Sequence, residues 1–258
     1  MASAPFSWVH RGTERRIILM SNGYSVGQDA LYPAVVALFA VVTTALPAAF
    51  GQPLLLHVLQ TLALTLLLGI ALRSGSFQAG VRTLAVWIGV QALLMAMITF
   101  FFGDQAARAI PGGFDLGAAM IEWLYTANPL PNGIAAAPVA RTIEFLGITI
   151  GSLLTGGLIG GWFLTGAVNQ AAFISGTLLA SLDQDVSFLV AFLPWSILVI
   201  AGYAGLLVCC AAPVWRSDWS VIRFQGRCRP ILLAALALLI AGLLSELLLP
   251  DAWRALFV

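Results

Sequence analysis

The chain has 258 residues, of which 60% are hydrophobic and 9% are charged, and its formal net charge is +1. Soluble domains carry about 25% charged residues, so this composition excludes an ordinary soluble protein and indicates a chain that uses lipid as its solvent. The near-zero net charge offers no basic surface to nucleic acid. All 12 basic residues are arginine, which excludes lysine nucleophiles and Schiff bases.

Residues 1–29 are predicted to form a cytoplasmic tail that is not a cleavable signal. Arg11, Arg15 and Arg16 are followed only by the short apolar run "IILM". A signal peptide needs about 7–15 apolar residues at that place.

Apolar runs of about 20 residues, the length that crosses a hydrocarbon core of about 30 Å, recur along residues 30–249. The predicted fold class is therefore all-α, a polytopic integral membrane helical bundle of about seven transmembrane helices. The predicted spans are 30–50, 53–72, 83–102, 142–164, 166–182, 186–210 and 230–249.

The stretch 142–182 decides the number of spans. As one helix it would be about 60 Å long, so it is predicted to fold back as a helical hairpin. Its most polar part, "TGAVNQ" at residues 165–170, is predicted to form the turn. With two crossings here, nine of the twelve arginines lie on the cytoplasmic side, whereas one crossing would divide them six and six. The positive-inside rule thus favours a cytoplasmic N-terminus and an extracytoplasmic C-terminal tail, residues 250–258.

Two connecting segments have recognisable chemistry. The extracytoplasmic loop 103–141 contains "FDLGAAMIEWLY", which is predicted to form an interfacial helix that seals the bundle; a re-entrant or gating loop is the alternative. The cytoplasmic loop 213–229 combines four arginines with aromatic residues. It is predicted to lie on anionic lipid headgroups, or else to dock a cytoplasmic partner.

Ionisable groups inside membrane spans are costly and are therefore candidates for function. The seven-span topology brings one set of polar groups to the outer face: His57, Arg141, Glu144, Asp183, Asp185 and Glu246. We interpret this set as a candidate polar or substrate-binding cluster. The alternative is that these groups lie near helix ends, where side chains reach water at little cost, and that Arg141 and Glu144 simply pair along one helix face.

Glycine pairs four residues apart follow one another in the same stretch: Gly147 and Gly151, Gly156 and Gly160, Gly157 and Gly161. Such pairs let helix backbones approach closely. They predict tight packing, either within this chain or against a partner or second copy.

Motifs of enzymes and cofactor sites are missing from the sequence. It has no HExxH, GxSxG or phosphate-binding loop, and its two histidines have no metal-ligand spacing. We therefore assign no catalytic residue and no metal ligand, the cofactor is unknown, and an enzyme is the less favoured class. Cys209, Cys210 and Cys228 are interpreted as small apolar fillers.

From about residue 140 the order of features is a glycine-rich span, a polar turn with Asn169, an "LP" span, a basic loop and a span closing with "LLSELL". In this order the chain resembles the stage II sporulation protein M family of membrane proteins. The histidine and glycine expected after "LP" are Trp195 and Ser196 here, so no residue role is carried over.

Two functions follow from these features. The first is a transport-related permease or permease subunit with a polar cluster near the outer face, in a bacterial inner membrane. The second is a non-catalytic scaffold or assembly subunit that packs through its glycine faces. The expected partners are the lipid bilayer and a membrane or cytoplasmic protein or a second copy, but not nucleic acid.

Overall fold

The computed structural model describes residues 31–74, 76–126, 129–181, 191–217 and 221–255, and within these it describes the side chains of all but 74 and 221–227. Every regular element in these ranges is helical. Six helices are long and apolar enough to cross a membrane, which fits an integral membrane helical bundle.

The six long helices are α1 (Leu31–Ala49), α2 (Pro53–Ser74), α3 (Phe77–Phe101), α8 (Leu158–Ser181), α9 (Pro194–Arg216) and α10 (Val221–Leu248). Helix starts follow local chemistry: the Ser76 side chain accepts a hydrogen bond from Ala79 N at 3.3 Å, and Pro194 stands in the first turn of α9, where its missing N–H costs nothing.

The helices alternate in direction between two ends of the bundle. At one end, Trp215 Nε1 donates to Gly156 O at 2.6 Å, and the Arg216 guanidinium lies 5.2 Å from the Phe77 ring centre. We call this the Gly156 end. At the opposite end, Ile134 N donates to Glu246 Oε1 at 2.9 Å; this end carries the short helices and we call it the capped end.

Two short helices, α4 (Gly103–Ala109) and α5 (Gly113–Tyr125), cover the capped end. On α5, Met120, Trp123 and Leu124 are at most 2% exposed and belong to an apolar cluster that includes residues of α3 and α8. Tyr125 on the same helix is 70% exposed. The predicted interfacial segment is thus a helix whose one face packs on the bundle.

The prediction that residues 165–170 form the turn of a hairpin was wrong. Helix α8 runs without interruption through them, and Thr165 and Asn169 are buried in it. The reversal comes earlier, at Gly156 and Gly157, whose φ angles of 64° and 99° lie in the left-handed region that favours glycine. The predicted spans 142–164 and 166–182 therefore do not match the helices.

The segment before this turn is helical but irregular. It consists of α6 (Pro138–Leu146), a π-helical stretch (Gly147–Gly151) and α7 (Ser152–Thr155). A π stretch inserts extra residues into a helix and often marks a functional site. After the turn, α8 returns toward the capped end, so the chain reverses within the predicted stretch 142–182 but at Gly156 and Gly157.

The bundle closes with α11 (Pro250–Arg254), which lies at the capped end. Trp253 of α11 contacts Trp195 at the start of α9, with ring centres 6.2 Å apart in a T-shaped arrangement. Arg254 donates to Thr126 O. The C-terminal segment is thereby tied to the helices that cover this end.

Candidate functional site

Three of the residues predicted to form a polar cluster meet at the capped end. Arg141 Nη1 lies 3.0 Å from Glu144 Oε2 and Arg141 Nη2 lies 3.3 Å from Glu246 Oε1. The first pair is local to α6, but the second joins α6 to α10 across 105 positions of sequence. We call Arg141, Glu144 and Glu246 the Arg141 cluster.

The Arg141 cluster is partly buried and incompletely satisfied in hydrogen bonds. The Glu246 side chain is 1% exposed and the Arg141 side chain 19%. Among the residues that the structure describes, Arg141 Nε and Glu246 Oε2 are buried and have no hydrogen-bond partner. One guanidinium also faces two carboxylates, so the cluster has an excess of one negative charge when all three groups are ionised. Buried polar atoms without partners are costly and therefore demand an explanation.

His57 lies apart from the Arg141 cluster. Its Nδ1 is 3.0 Å from Pro53 O, and its ring centre is 5.3 Å from that of Trp162 on α8. It is 8% exposed. These contacts are those of a histidine packed between two helices. Asp183 and Asp185 lie outside the described residues.

A second buried polar group lies in the middle of the bundle and was missed in the sequence. Gln91 Nε2 donates to Asn169 Oδ1 at 2.8 Å, and Asn169 Nδ2 donates to Gln60 Oε1 at 2.7 Å. All three side chains are fully buried. They come from α3, α8 and α2, and we call them the amide cluster.

Neighbouring groups complete the amide cluster. Gln60 Nε2 donates to Thr44 Oγ1 at 2.8 Å, and Trp87 Nε1 donates to Gln91 Oε1 at 2.7 Å. The link to Thr44 adds α1, so the network joins four helices. Uncharged polar residues near the centres of apolar spans are the sequence signal for these amides, whereas the predicted polar cluster contains ionisable residues alone.

Two cavities lie between the helices, and the smaller one adjoins Arg141. The smaller, of about 30 Å³, is lined by Asn132, Arg141, Gln170, Trp195 and Ser196 together with apolar residues. We call it the polar cavity. The Trp195 side chain is 1% exposed, and its Nε1 has no acceptor among the described residues. Trp195 and Arg141 thus line the polar cavity, and each also has a buried N–H group without a partner among the described residues.

The larger cavity, of about 980 Å³, lies between α3, α8, α9 and α10. We call it the apolar groove. It reaches from Phe77 at the Gly156 end to Phe192 and Leu193 near the capped end. Four residues line both cavities: Ala171, Leu193, Ser196 and Ile200. The apolar groove and the polar cavity thus share part of their walls.

Small side chains create the apolar groove, and it opens sideways. About half of its lining residues are glycine, alanine or serine. A Cβ at Gly89 would meet nothing within 4 Å, and Ile197 at the rim is 54% exposed. The groove can therefore admit a molecule from the apolar surroundings of the helices.

The glycine pairs are occupied by neighbours within this chain. A Cβ at Gly147 would lie 2.1 Å from Phe163 Cε2, and one at Gly160 would lie 1.8 Å from Ser152 Oγ. Gly156 and Gly157 form the turn. Leucine at Gly160 would thus disrupt the α7–α8 hairpin itself, and such a variant is not a clean test of partner binding.

Metal-ligating side chains and thiols are the remaining candidate groups. Among the residues that the structure describes, no group of three or more histidine, cysteine, aspartate or glutamate side chains could hold a metal ion. Cys209 is buried, and its Sγ lies 3.8 Å from Cys228 O, as expected for packed thiols.

The chain matches no protein-family model, no curated protein and no solved structure.

Proposed function

We propose that this chain is a transport-related permease or permease subunit that moves an amphipathic solute. The observation that carries this proposal is that the apolar groove and the polar cavity are neighbours and share the wall residues Ala171, Leu193, Ser196 and Ile200. Such a pair of spaces suits a molecule with an apolar body and a polar head. Ligand sites are commonly apolar clefts with a few polar groups that fix orientation.

We also propose that residues 138–155 are a seventh crossing. As a helix they would measure about 27 Å, close to the hydrocarbon thickness of about 30 Å. Their two ends support this proposal, since Arg141 contacts Glu246 at the capped end and Gly156 accepts from Trp215 at the opposite end.

The orientation that fits seven crossings has the Gly156 end in the cytoplasm. Arg73, Arg82 and Arg216 belong to helix ends on that side, in agreement with the positive-inside rule. The N-terminus is then cytoplasmic, the C-terminus extracytoplasmic and the Arg141 cluster on the outer side. The membrane is proposed to be a bacterial inner membrane.

In this function the Arg141 cluster sets the polar end of the solute path. Its Arg141–Glu246 pair connects α6 to α10, and Ile134 beside it belongs to the segment before α6. A solute head that entered the polar cavity would contact Arg141 directly. Changes in the Glu246–Arg141 pair would then shift α10, which forms one wall of the groove.

Obstruction of the groove tests the transport proposal. The purified protein is reconstituted into liposomes, and the transbilayer movement of a fluorescent long-chain amphiphile is followed by chemical quenching of the outer leaflet. Gly89→Trp places a large ring in open space of the groove and is expected to slow movement at least tenfold. Leu66→Trp, at a position of α2 that is 60% exposed and outside the groove, is the matched control and should leave the rate unchanged.

Two results would contradict the proposal: wild-type liposomes no faster than protein-free liposomes, or equal rates for the two tryptophan variants. The scaffold alternative predicts the first result together with a membrane protein that copurifies in mild detergent. No described surface favours that alternative, because the glycine pairs on which it depended contact residues of this chain.

A further inference from the structure

We propose that the apolar groove binds an anionic phospholipid whose acyl chains lie along the groove and whose phosphate head lies at the Gly156 end, against Arg82 and Arg216. The inference rests on the proposed function in one respect, since it takes this lipid as the solute that is moved. Binding of the lipid is measured separately from its movement.

The apolar groove is open to the surroundings of the bundle. On α3 its lining includes Gln78, Ala85 and Gly89, and all three are exposed. Ile197 on α9 also lines it and is 54% exposed. These surfaces face the side of the bundle, where the acyl chains of a membrane lie. A lipid can therefore reach the groove without any separation of the helices.

The dimensions of the groove suit acyl chains. Its lining on α3 runs from Phe77 to Ala92, a length of about 22 Å. One leaflet contributes about 15 Å of hydrocarbon, so the groove can hold a chain over the whole depth of a leaflet. Its volume of about 980 Å³ is at the upper end of ligand sites, about 300–1,000 Å³. This volume suits a lipid with two chains rather than a single-chain amphiphile.

The charges of the described residues favour an anionic head at the Gly156 end. Arg73, Arg82 and Arg216 belong to helix ends there. The acidic residues that the structure describes all belong to elements of the capped end: Asp104, Asp115, Glu122, Glu144, Glu246 and Asp251. A phosphate at the Gly156 end is therefore near arginines, whereas a cationic head has no described carboxylate to pair with there.

Arg82 and Arg216 border the groove at this end. Arg82 is exposed, and it lies four residues after Gln78 and three before Ala85, both of which line the groove. Helical spacing places these three residues on one face of α3, and the Arg82 side chain leans toward the N-terminus of α3, which lies at the Gly156 end. The Arg216 guanidinium is 5.2 Å from the ring centre of Phe77, another lining residue. Because guanidinium groups bind phosphate oxygens through paired N–H donors, the two arginines suit the head of a lipid whose chains occupy the groove.

Three lipids with the same two palmitoyl chains and different heads test the inference. The full-length protein is delipidated in mild detergent, and native mass spectrometry measures its affinity for phosphatidylglycerol, phosphatidylcholine and a trimethylammonium-propane lipid. The anionic lipid is expected to bind about tenfold more tightly than the zwitterionic lipid, because each arginine near an anionic head strengthens binding. The cationic lipid should bind most weakly. Glycerol 3-phosphate, which has the phosphate but no chains, should not displace the anionic lipid.

Matched arginine variants locate the head. Arg82→Gln is expected to weaken phosphatidylglycerol binding about fivefold, the effect of one arginine near an anionic head, and to leave phosphatidylcholine binding unchanged. Arg216→Gln should act in the same way. Arg73→Gln is the control, because Arg73 is exposed at the same end but belongs to α2, none of whose described residues lines the groove. Since Arg82 and Arg73 are both exposed, their comparison decides the question even if Arg216→Gln does not fold.

A groove variant locates the chains. Gly89→Trp places a large ring in open space of the groove and removes much of the surface that buries the chains. It is expected to weaken binding of phosphatidylglycerol and phosphatidylcholine alike, by about tenfold. Leu66→Trp, at an exposed position of α2, should leave both affinities unchanged.

Equal affinity for the three heads, or equal effects of Arg82→Gln and Arg73→Gln, would overturn the inference, because the attraction would then belong to the whole Gly156 end. If Gly89→Trp separates a dimer without changing lipid affinity, the groove is the site of a second copy and the inference is also wrong. Selective phosphatidylglycerol binding without amphiphile movement in liposomes would preserve the site and reject the proposed function. Movement without head selectivity would do the reverse.

Discussion

The amide cluster and the Arg141 cluster differ in how completely their polar atoms are paired. In the amide cluster, three uncharged side chains from α2, α3 and α8 satisfy one another at 2.7–2.8 Å. In the Arg141 cluster, charged side chains are paired, but one nitrogen and one carboxylate oxygen are without partners among the described residues. A satisfied polar network stabilises and specifies packing, whereas an incomplete one is costly and so indicates a ligand or a function.

The two clusters also differ in their position along the helices. The amide cluster lies in the middle of α3 and α8, where water is absent and each donor needs an acceptor within the protein. The Arg141 cluster lies at the capped end beside a cavity. We therefore infer that the first region holds helices together and that the second has been left open for binding.

The largest effect is expected from Arg141→Leu. It leaves the buried Glu246 carboxylate without its cation, and breaking a buried ion pair in this way costs about 3–5 kcal/mol. The free energy of unfolding in detergent measures it. Arg108→Leu, an exposed arginine at the same end, is the control and should change stability little. Equal stability of the two variants would show that the Arg141 cluster is solvated. It would also contradict the inferred difference between the Arg141 cluster and the amide cluster.

A smaller loss is expected from Gln91→Leu. The Trp87 indole loses its acceptor and Asn169 Oδ1 keeps only the longer hydrogen bond from Gln60 Nε2, at 3.4 Å. No charge is exposed to the apolar interior, and interhelical polar contacts in membranes are worth about 1–2 kcal/mol. Gln78→Leu, at an exposed position of the same helix, is the control. The same unfolding measurement applies, and amphiphile transport should be unaffected. A loss of transport in a stable Gln91→Leu protein would assign function to the amide cluster.

The smallest change in stability is expected when the charges of the Arg141 cluster are removed together. The triple variant Arg141→Met, Glu144→Leu, Glu246→Leu has no buried charge left, and replacing a buried ionic group by apolar residues is often neutral or stabilising. It should have the same free energy of unfolding as the wild-type protein yet lose amphiphile transport. A triple variant less stable than Arg141→Leu would mean that the cluster serves stability rather than binding.

Much of the fold was predictable because lipid limits what a backbone can do. Each long helix coincides roughly with an apolar run, since spanning segments must satisfy their own N–H and C=O groups. The error at residues 165–170 has a physical cause as well. Asn and Thr favour turns when their side chains compete for the backbone or reach water, but Asn169 bonds Gln60, which lies 109 positions away. A local sequence pattern cannot identify a partner so far away along the chain.

The candidate site was predictable in part. Arg141 and Glu144 are three residues apart, so their ion pair follows from helix geometry. The approach of Glu246 to Arg141 across 105 positions and the packing of His57 against Trp162 instead depend on helix rotation. Local sequence does not specify rotation here, because these spans are apolar on nearly every face.

The sequence by itself determined that this chain is built of long apolar helices, because hydropathy and length suffice for that conclusion. It also determined which polar groups would have to be accommodated within them. Only the tertiary structure decided where the chain reverses, which amides meet and where a polar cavity lies beside an apolar groove. These features arise from contacts between residues about 30 to 110 positions apart, whose energies depend on how whole helices are rotated and packed.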